Sequence, residues 1–143
     1  MYGDWIYEKV KFILRNMEEI RRETAYARIE RKGKKGSPEL HGEGYVSNPT
    51  AKEAEMNMTP LKSIRLSRGQ LVKDPEAWIR CVDEMMRIMS PEDRNVAAVL
   101  IRRTPWEDAL RQLSMSKGTY YSRRDRVLAL IAMKAVQDGL IKL

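Results

Sequence analysis

Eight residues near the carboxyl end of the chain have side chains suited to binding a polyanion. They are Ser116, Lys117, Thr119, Tyr121, Ser122, Arg123, Arg124 and Arg126. Hydroxyl and cationic groups of this kind donate hydrogen bonds to base edges and phosphates when a helix enters a DNA major groove. We expect base contacts from Lys117 and its polar neighbours, and phosphate contacts from some of the arginines.

The second of two closely spaced helices would present these residues. Thr104 and Pro105 resemble the cap and first residue of a helix, and Glu107 has the capping-box position. Ser114 then interrupts the apolar pattern, and Ser116 is placed to cap a second helix. The predicted buried positions are Trp106, Ala109, Leu110 and Leu113 in the first helix, and Tyr120, Val127, Leu128, Ile131, Ala135 and Val136 in the second.

A very short turn forces two helices to cross steeply, so the first turn of the second helix faces outward. The pattern over about residues 104–138 therefore predicts a helix-turn-helix. An ordinary helical hairpin inside a compact domain would show the same caps. The tight turn, the capping serine and the basic outer face favour DNA binding.

Charge and composition agree with a polyanionic partner. The 143 residues have a formal net charge of +7 and a pI of about 9.6. Membranes are also anionic, but we find no apolar run near the roughly 20 residues that span a bilayer, and no signal peptide. A single cysteine, Cys81, cannot form an intramolecular disulfide. We therefore expect a cytoplasmic protein without a membrane partner.

Catalytic and metal-binding patterns are weak. His41 is the only histidine, Cys81 is the only cysteine, and neither belongs to a cluster with metal-ligand spacing. The acidic pairs at 92–93 and 107–108 fall in the first turns of predicted helices, where the helix dipole favours negative charge. We predict no enzyme activity, no cofactor and no metal.

The amino-terminal residues 1–31 predict one long helix from about Asp4 to Arg31. Its apolar positions alternate in steps of four and three, as in a coiled coil: Ile6, Val10, Ile13, Met17, Ile20, Thr24 and Ala27. Such a stripe needs a partner surface, since an isolated helix gains little from propensity alone. Packing against a later helix of the same chain and self-association remain equal alternatives. Self-association would use Ile6, Val10, Ile13, Met17 and Ile20.

The recurring glycine and proline residues of segment 32–50 predict a flexible linker. Its basic beginning, from Arg28 to Lys35, is either a solvated surface or a further phosphate contact. The pattern of residues 51–143 predicts a helical domain with breaks. Within it we expect a helix from Ala51 to about Leu66, which Pro60 either restarts or kinks.

Further helices are predicted from Pro75, after a capping Asp74, and from Pro91, after a capping Ser90. The expected apolar positions are Trp78, Val82, Met85 or Met86, and Met89 in the first, and Val96, Ala97, Val99, Leu100 and Ile101 in the second. No segment has the pattern of a strand. The predicted fold class is therefore all-α.

Several of these segments together resemble the sigma-factor region 4 type of helix-turn-helix. They are Ser90-Pro91-Glu92, Trp106-Glu107-Asp108, residues 113–116 and Thr119-Tyr120-Tyr121 with the following arginines. With the long first helix and the linker, the chain is similar to phage-encoded RinA/ArpU-like transcriptional regulators of Gram-positive hosts. The resemblance implies activation of late phage operons, with Lys117, Thr119, Tyr121 and Arg123 facing DNA and RNA polymerase as a possible partner.

The chain departs from the usual motif at three positions. Leu110 stands where alanine is usual, Ser114 where glycine is favoured in the turn, and Gly118 lies inside the second helix. A glycine inside a helix costs about 0.5 to 1 kcal/mol relative to alanine.

Two other functions fit the same elements. A phage small terminase subunit also combines a helix-turn-helix with oligomerising helices, although usually in the opposite order, and it forms a ring of about eight or more subunits. A helical module that docks on RNA polymerase would bind without sequence preference on DNA. Oligomeric state and sequence preference distinguish these alternatives from a regulator.

Overall fold

A computed structural model describes residues 3–35 and 59–143. Within these residues six helices and one two-stranded hairpin follow in order. They are α1 (Asp4–Arg15), α2 (Met17–Lys35), β1 (Ser63–Arg65), β2 (Leu71–Lys73), α3 (Pro75–Ile88), α4 (Pro91–Ile101), α5 (Trp106–Leu113) and α6 (Lys117–Gln137). The predicted all-α class is confirmed, and the short hairpin is an addition to it.

The hairpin overturns the helix predicted for residues 51–66, of which 51–58 lie outside the described residues. Ile64 pairs with Val72 in an antiparallel register, and both side chains are buried while their strand neighbours are exposed. Gly69 supplies the turn with a φ of 89°. Since β1 contacts α2, burial against that helix favours a strand over the weak local helix pattern.

The predicted amino-terminal helix is divided at Asn16. The Asn16 side-chain amide donates to the Phe12 carbonyl at 2.9 Å. Arg103 donates to the Arg15 carbonyl at 2.7 Å and to Asn16 Oδ1 at 2.6 Å. These bonds satisfy groups at the end of α1 and allow a second helix to begin at Met17. The linker prediction is wrong for residues 32–35, which belong to α2, and residues 36–50 lie outside the described part.

The apolar stripe of the first two helices packs within the chain. Ile6, Val10, Ile13, Met17 and Ile20 are each exposed by 2% or less. Helices α4 and α6 contact α1, and α3 and β1 contact α2. This is the first of the two predicted alternatives. It corrects the assignment of the five side chains as a self-association surface, because the chain's own helices already cover them.

Helices α3 and α4 begin where proline predicts. Trp78, Val82, Met85 and Met89 are buried, which selects Met85 over Met86. Ser90 caps α4 by accepting the Asp93 N–H at 3.2 Å. The cap predicted from Asp74 is wrong, because that residue has a left-handed backbone, with a φ of 51°, and makes no side-chain cap bond.

The last helix, α6, is the centre of the described fold. Helices α1, α3 and α4 contact it, and Val127, Leu128, Ile131 and Ala135 are buried. An ion pair between Lys134 and Glu84, at 2.8 Å, joins its carboxyl-terminal half to α3. The later turns of α6 therefore fix the helix in the core, while most side chains of its first two turns remain accessible. None of the helices in residues 3–35 and 59–143 is both long enough and apolar enough to cross a membrane.

Candidate nucleic-acid interface

Three residues, Ser114 to Ser116, connect α5 to α6. Ser114 has a left-handed backbone with a φ of 55°, the conformation for which glycine is usually favoured. Its N–H donates to the Arg111 carbonyl at 3.3 Å, and the Met115 N–H donates to the Leu110 carbonyl at 3.1 Å. These bonds end α5 at Leu113 and give the short turn that the sequence predicts.

Ser116 caps α6. Its hydroxyl oxygen accepts the Thr119 N–H at 3.2 Å and donates to the Thr119 hydroxyl at 3.0 Å. The predicted cap is confirmed. Because the two hydroxyl groups already bond each other, their first role is to order the amino-terminal turn of α6.

The start of α5 differs from the prediction by one residue. Pro105 has the cap position, and neither it nor Thr104 makes a side-chain cap bond within the described part of the chain. Trp106, predicted as buried, is 41% exposed. The Lys117 ammonium lies 4.8 Å from the centre of its ring, close enough for a cation–π contact. Ala109 is buried, whereas Leu110 and Leu113 are half-buried.

The outer face of α6 is polar. Lys117, Gly118, Thr119, Ser122 and Arg126 are exposed. Five residues line a shallow depression on one flank: Gly118, Thr119, Ser122, Arg123 and Arg126. The structure thus brings together four of the eight predicted site residues there, with Lys117 and Tyr121 on the same two turns.

Two of the predicted phosphate-binding arginines are paired with carboxylates inside the fold. Arg123 contacts Glu92 at 2.5 Å and Asp93 at 3.5 Å, and Arg126 contacts Asp93 at 3.3 Å. Asp93 is only 1% exposed, so these two arginines, and not water, surround its carboxylate. The acidic pair at 92–93 joins α4 to α6 in addition to its position at a helix start.

Tyr121 and Arg124 stack beside this face. The Arg124 guanidinium lies 4.7 Å from the centre of the Tyr121 ring, and its Nη2 is 3.3 Å from Asp125. Tyr120 meets Tyr121 edge-on, with ring centres 5.3 Å apart. Tyr120 is 3% exposed, and burial raises the pKa of its phenol, which stays protonated at neutral pH. The predicted core role of Tyr120 is confirmed, whereas Tyr121, predicted to project outward, is half-buried against the core.

Lys11, Arg15 and Arg103 lie on the opposite flank of α6, where they line a cavity together with Arg124. These three residues were not among the predicted site residues. Lys11 and Arg15 lie on α1, more than 100 residues before α6, and Arg103 lies on the loop after α4, 14 residues before α6. No local spacing therefore relates them to α6.

The described part of the chain contains neither a cluster of metal ligands nor an activated thiol. No group of three histidine, cysteine, aspartate or glutamate side chains there is placed to hold a metal ion. Cys81 is buried, and desolvation raises the pKa of its thiol to about 12, which disfavours a reactive thiolate. His41 lies outside the described residues.

No family model, curated protein or solved structure matches the chain. The resemblance to sigma region 4 and to RinA/ArpU-like regulators therefore rests on the sequence motifs alone.

Proposed function

We propose that the protein binds double-stranded DNA in a sequence-specific manner and regulates transcription. The observation that carries this proposal is the three-residue turn at 114–116. It is followed by a capped helix whose first two turns expose Lys117, Thr119 and Ser122. Helix-turn-helix proteins place the first residues of their second helix in the major groove, against base edges.

The roles that we assign follow from exposure and existing partners. Lys117 makes no ion pair in the described residues and holds its ammonium over Trp106, so it is available to a base acceptor or a phosphate. Tyr121 and Ser122 lie one turn further along the same helix and add hydrogen-bonding groups. Arg124 is the predicted arginine assigned to phosphate, because its guanidinium is oriented by Tyr121.

Arg123 and Arg126 have a secondary part in this proposal. Both already neutralise Asp93, and a phosphate would have to compete with a carboxylate that is almost fully buried. We assign them mainly to holding α6 at a fixed angle on α4. A fixed helix improves discrimination, because base contacts depend on register.

Transcriptional regulation, as a RinA/ArpU-like activator of late phage genes, rests on the resemblance. The same resemblance implies RNA polymerase as a partner. The net charge of +7 supports the more general statement that the partner is a polyanion.

Selection of bound duplexes from a random pool tests the proposal. The intact protein, at one fixed salt concentration, should enrich a short shared motif over successive rounds. Equal recovery of all sequences would contradict sequence-specific recognition, since non-specific binding arises from phosphate contacts alone. The absence of any binding would contradict DNA binding itself.

A further inference from the structure

A cavity of about 250 Å³ lies between α1, the loop that precedes α5, and the amino-terminal half of α6. Four of its lining residues are cations: Lys11, Arg15, Arg103 and Arg124. No carboxylate is among its lining residues in the described part of the chain. Trp106 and Tyr121, which belong to the candidate DNA interface, also line it.

The cations lack full neutralisation. Lys11 pairs with Glu8 at 3.1 Å, and Arg124 pairs with Asp125 at 3.3 Å, but neither carboxylate lines the cavity. The carboxylates of these pairs are 68% and 69% exposed, and water weakens ion pairs with such exposed partners. Arg15 has no carboxylate within 4.0 Å among the described residues. The cluster therefore has an excess of positive charge that an anion would relieve.

The walls of the cavity are held in place. Arg103 donates to the Arg15 carbonyl and to Asn16 Oδ1, which fixes the loop against the end of α1. Both of those acceptors are neutral, and Glu19, the carboxylate that interacts with Arg103 at longer range, does not line the cavity. The Nε of Arg124 is buried and has no hydrogen-bond partner among the described residues. A buried N–H without an acceptor is unfavourable, so the Arg124 side chain is not fully satisfied within the described fold.

We infer that this cavity binds a backbone phosphate of the DNA strand that flanks the recognition helix. Lys11 and Arg15 of α1 would then extend the interface beyond the helix-turn-helix. The inference rests on the proposed function, and Arg124, Tyr121 and Trp106 connect it to that function because they belong to both surfaces. It also gives α1 a role in binding that its buried apolar stripe alone does not provide.

The salt dependence of DNA affinity measures this contact. Replacing Arg15 and Lys11 together, in R15Q/K11Q, should lower the slope of log K against log salt by about one unit for each phosphate that the variant no longer binds. The ratio of affinities for a selected duplex and a shuffled duplex should stay the same, because phosphate contacts carry no base information. The single variant R15Q, at an exposed residue, should lower the slope by about one.

The matched control is R87Q/K142Q, which removes the same charge from two exposed residues outside the cavity. The Glu84–Lys134 ion pair places α3 beside the later turns of α6, about 25 Å along the helix from Lys117. These changes should leave the slope close to that of the wild type. Circular dichroism of every variant checks that the helices are retained.

The outcomes separate the inference from the proposed function. Wild-type protein that binds a selected duplex, with an unchanged slope in R15Q and R15Q/K11Q, would overturn the inference alone. An equally reduced slope in R87Q/K142Q would overturn it too, because the effect would then reflect total charge. Failure of the wild type to bind any duplex would overturn both.

Titration calorimetry with inorganic phosphate and with ATP distinguishes the source of the phosphate. Weak or undetectable binding of both to the free protein is expected, since a single phosphate gains little without the rest of the duplex. Saturable binding that R15Q/K11Q abolishes, with an unchanged salt slope on DNA, would overturn the inference in favour of a small phosphate-bearing ligand.

Discussion

The two flanks of α6 contain similar cations in opposite electrostatic settings. On one flank Arg123 and Arg126 surround Asp93, which is 1% exposed, and Arg123 also contacts Glu92. On the other flank Arg124 shares a cavity with Arg15 and two further cations, and no described carboxylate lines it. A net positive charge in the sequence therefore does not identify which arginines are available to a ligand. The tertiary partners decide that.

The two flanks of α6 therefore have different roles. A buried carboxylate with two arginine partners stabilises the junction of α4 and α6, and losing it leaves cations without their counter-charge. A cavity whose four cations have only outlying carboxylates as partners contributes little to stability and attracts an anion instead. Substitutions on the first flank should therefore act mainly on folding, and those on the second flank mainly on binding.

The largest expected effect is on the paired flank. Asp93→Asn keeps the shape of the side chain but removes the charge that Arg123 and Arg126 share, so the free energy of unfolding should fall by about 2 kcal/mol. Chemical denaturation measures it. The DNA salt slope should become steeper, because two arginines are released toward phosphates.

Glu92→Gln is the control for that change. Glu92 is exposed and loses only a surface ion pair, so its cost should stay below about 1 kcal/mol. Equal stability losses from Asp93→Asn and Glu92→Gln would contradict the importance that we assign to the buried carboxylate.

A third paired arginine, away from α6, gives a reference for pairing that serves the fold alone. Arg28 donates to both carboxylate oxygens of Glu76 at 2.7 Å, and the Leu61 N–H donates to Glu76 at 3.0 Å. The hydrogen bond from Arg28 lowers the pKa of Glu76 below its ordinary value of 4.5. The stabilisation that the ionised Glu76 gains from Arg28 is therefore complete above about pH 4.5. It is lost as the pH falls through the lowered pKa of Glu76.

Replacing Glu76 with Gln should lower the free energy of unfolding at pH 7 by about 1 kcal/mol, with no effect on the DNA salt slope. Denaturation curves at pH 7 and pH 3 measure the change. The difference between wild type and variant should shrink at the lower pH, and a difference independent of pH would refute the assigned role.

The smallest effect is expected at Gly118, which lines the depression on the paired flank. A Cβ there would have no neighbour within 4 Å, so Gly118→Ala should stabilise α6 by about 0.5 kcal/mol while weakening DNA binding through added bulk. Gly139→Ala, with a φ of 77° at the replaced residue, should instead destabilise the protein. Unchanged DNA affinity in Gly118→Ala would show that the depression lined by Gly118 does not contact DNA.

Local signals predicted those parts of the fold that depend on neighbouring residues. Pro75 and Pro91 mark helix starts, Ser90 and Ser116 form caps, and Ser114 ends α5. Each depends on hydrogen bonds within a few residues, which is why spacing alone reveals it. The buried faces of α3 and α6 follow in the same way from helical periodicity.

Long-range contacts explain the features that could not be predicted from the sequence. The break at Asn16 depends on Arg103, 87 residues further along the chain. The hairpin at Ile64 and Val72 is favoured by burial against α2, and Arg123 and Asp93, 30 residues apart in the sequence, pair across α6 and α4. Residue spacing contains no signal for such pairs. Trp106 also has the spacing of a buried position, yet its ring supports Lys117 at the surface.

Competition binding of Lys117→Ala tests the central proposal most directly. A selected duplex and a shuffled duplex are titrated at one salt concentration with the wild type, Lys117→Ala and Lys142→Ala. Lys142 is exposed and follows the end of α6, about 30 Å along the helix from Lys117, so its replacement controls for charge.

We predict that Lys117→Ala lowers the ratio of the two affinities by about fivefold or more, since a base contact contributes about 1 to 3 kcal/mol, while Lys142→Ala leaves the ratio unchanged. An unchanged ratio in Lys117→Ala, with both affinities reduced equally, would limit Lys117 to phosphate contact. A wild-type ratio of one would contradict sequence-specific recognition by this helix.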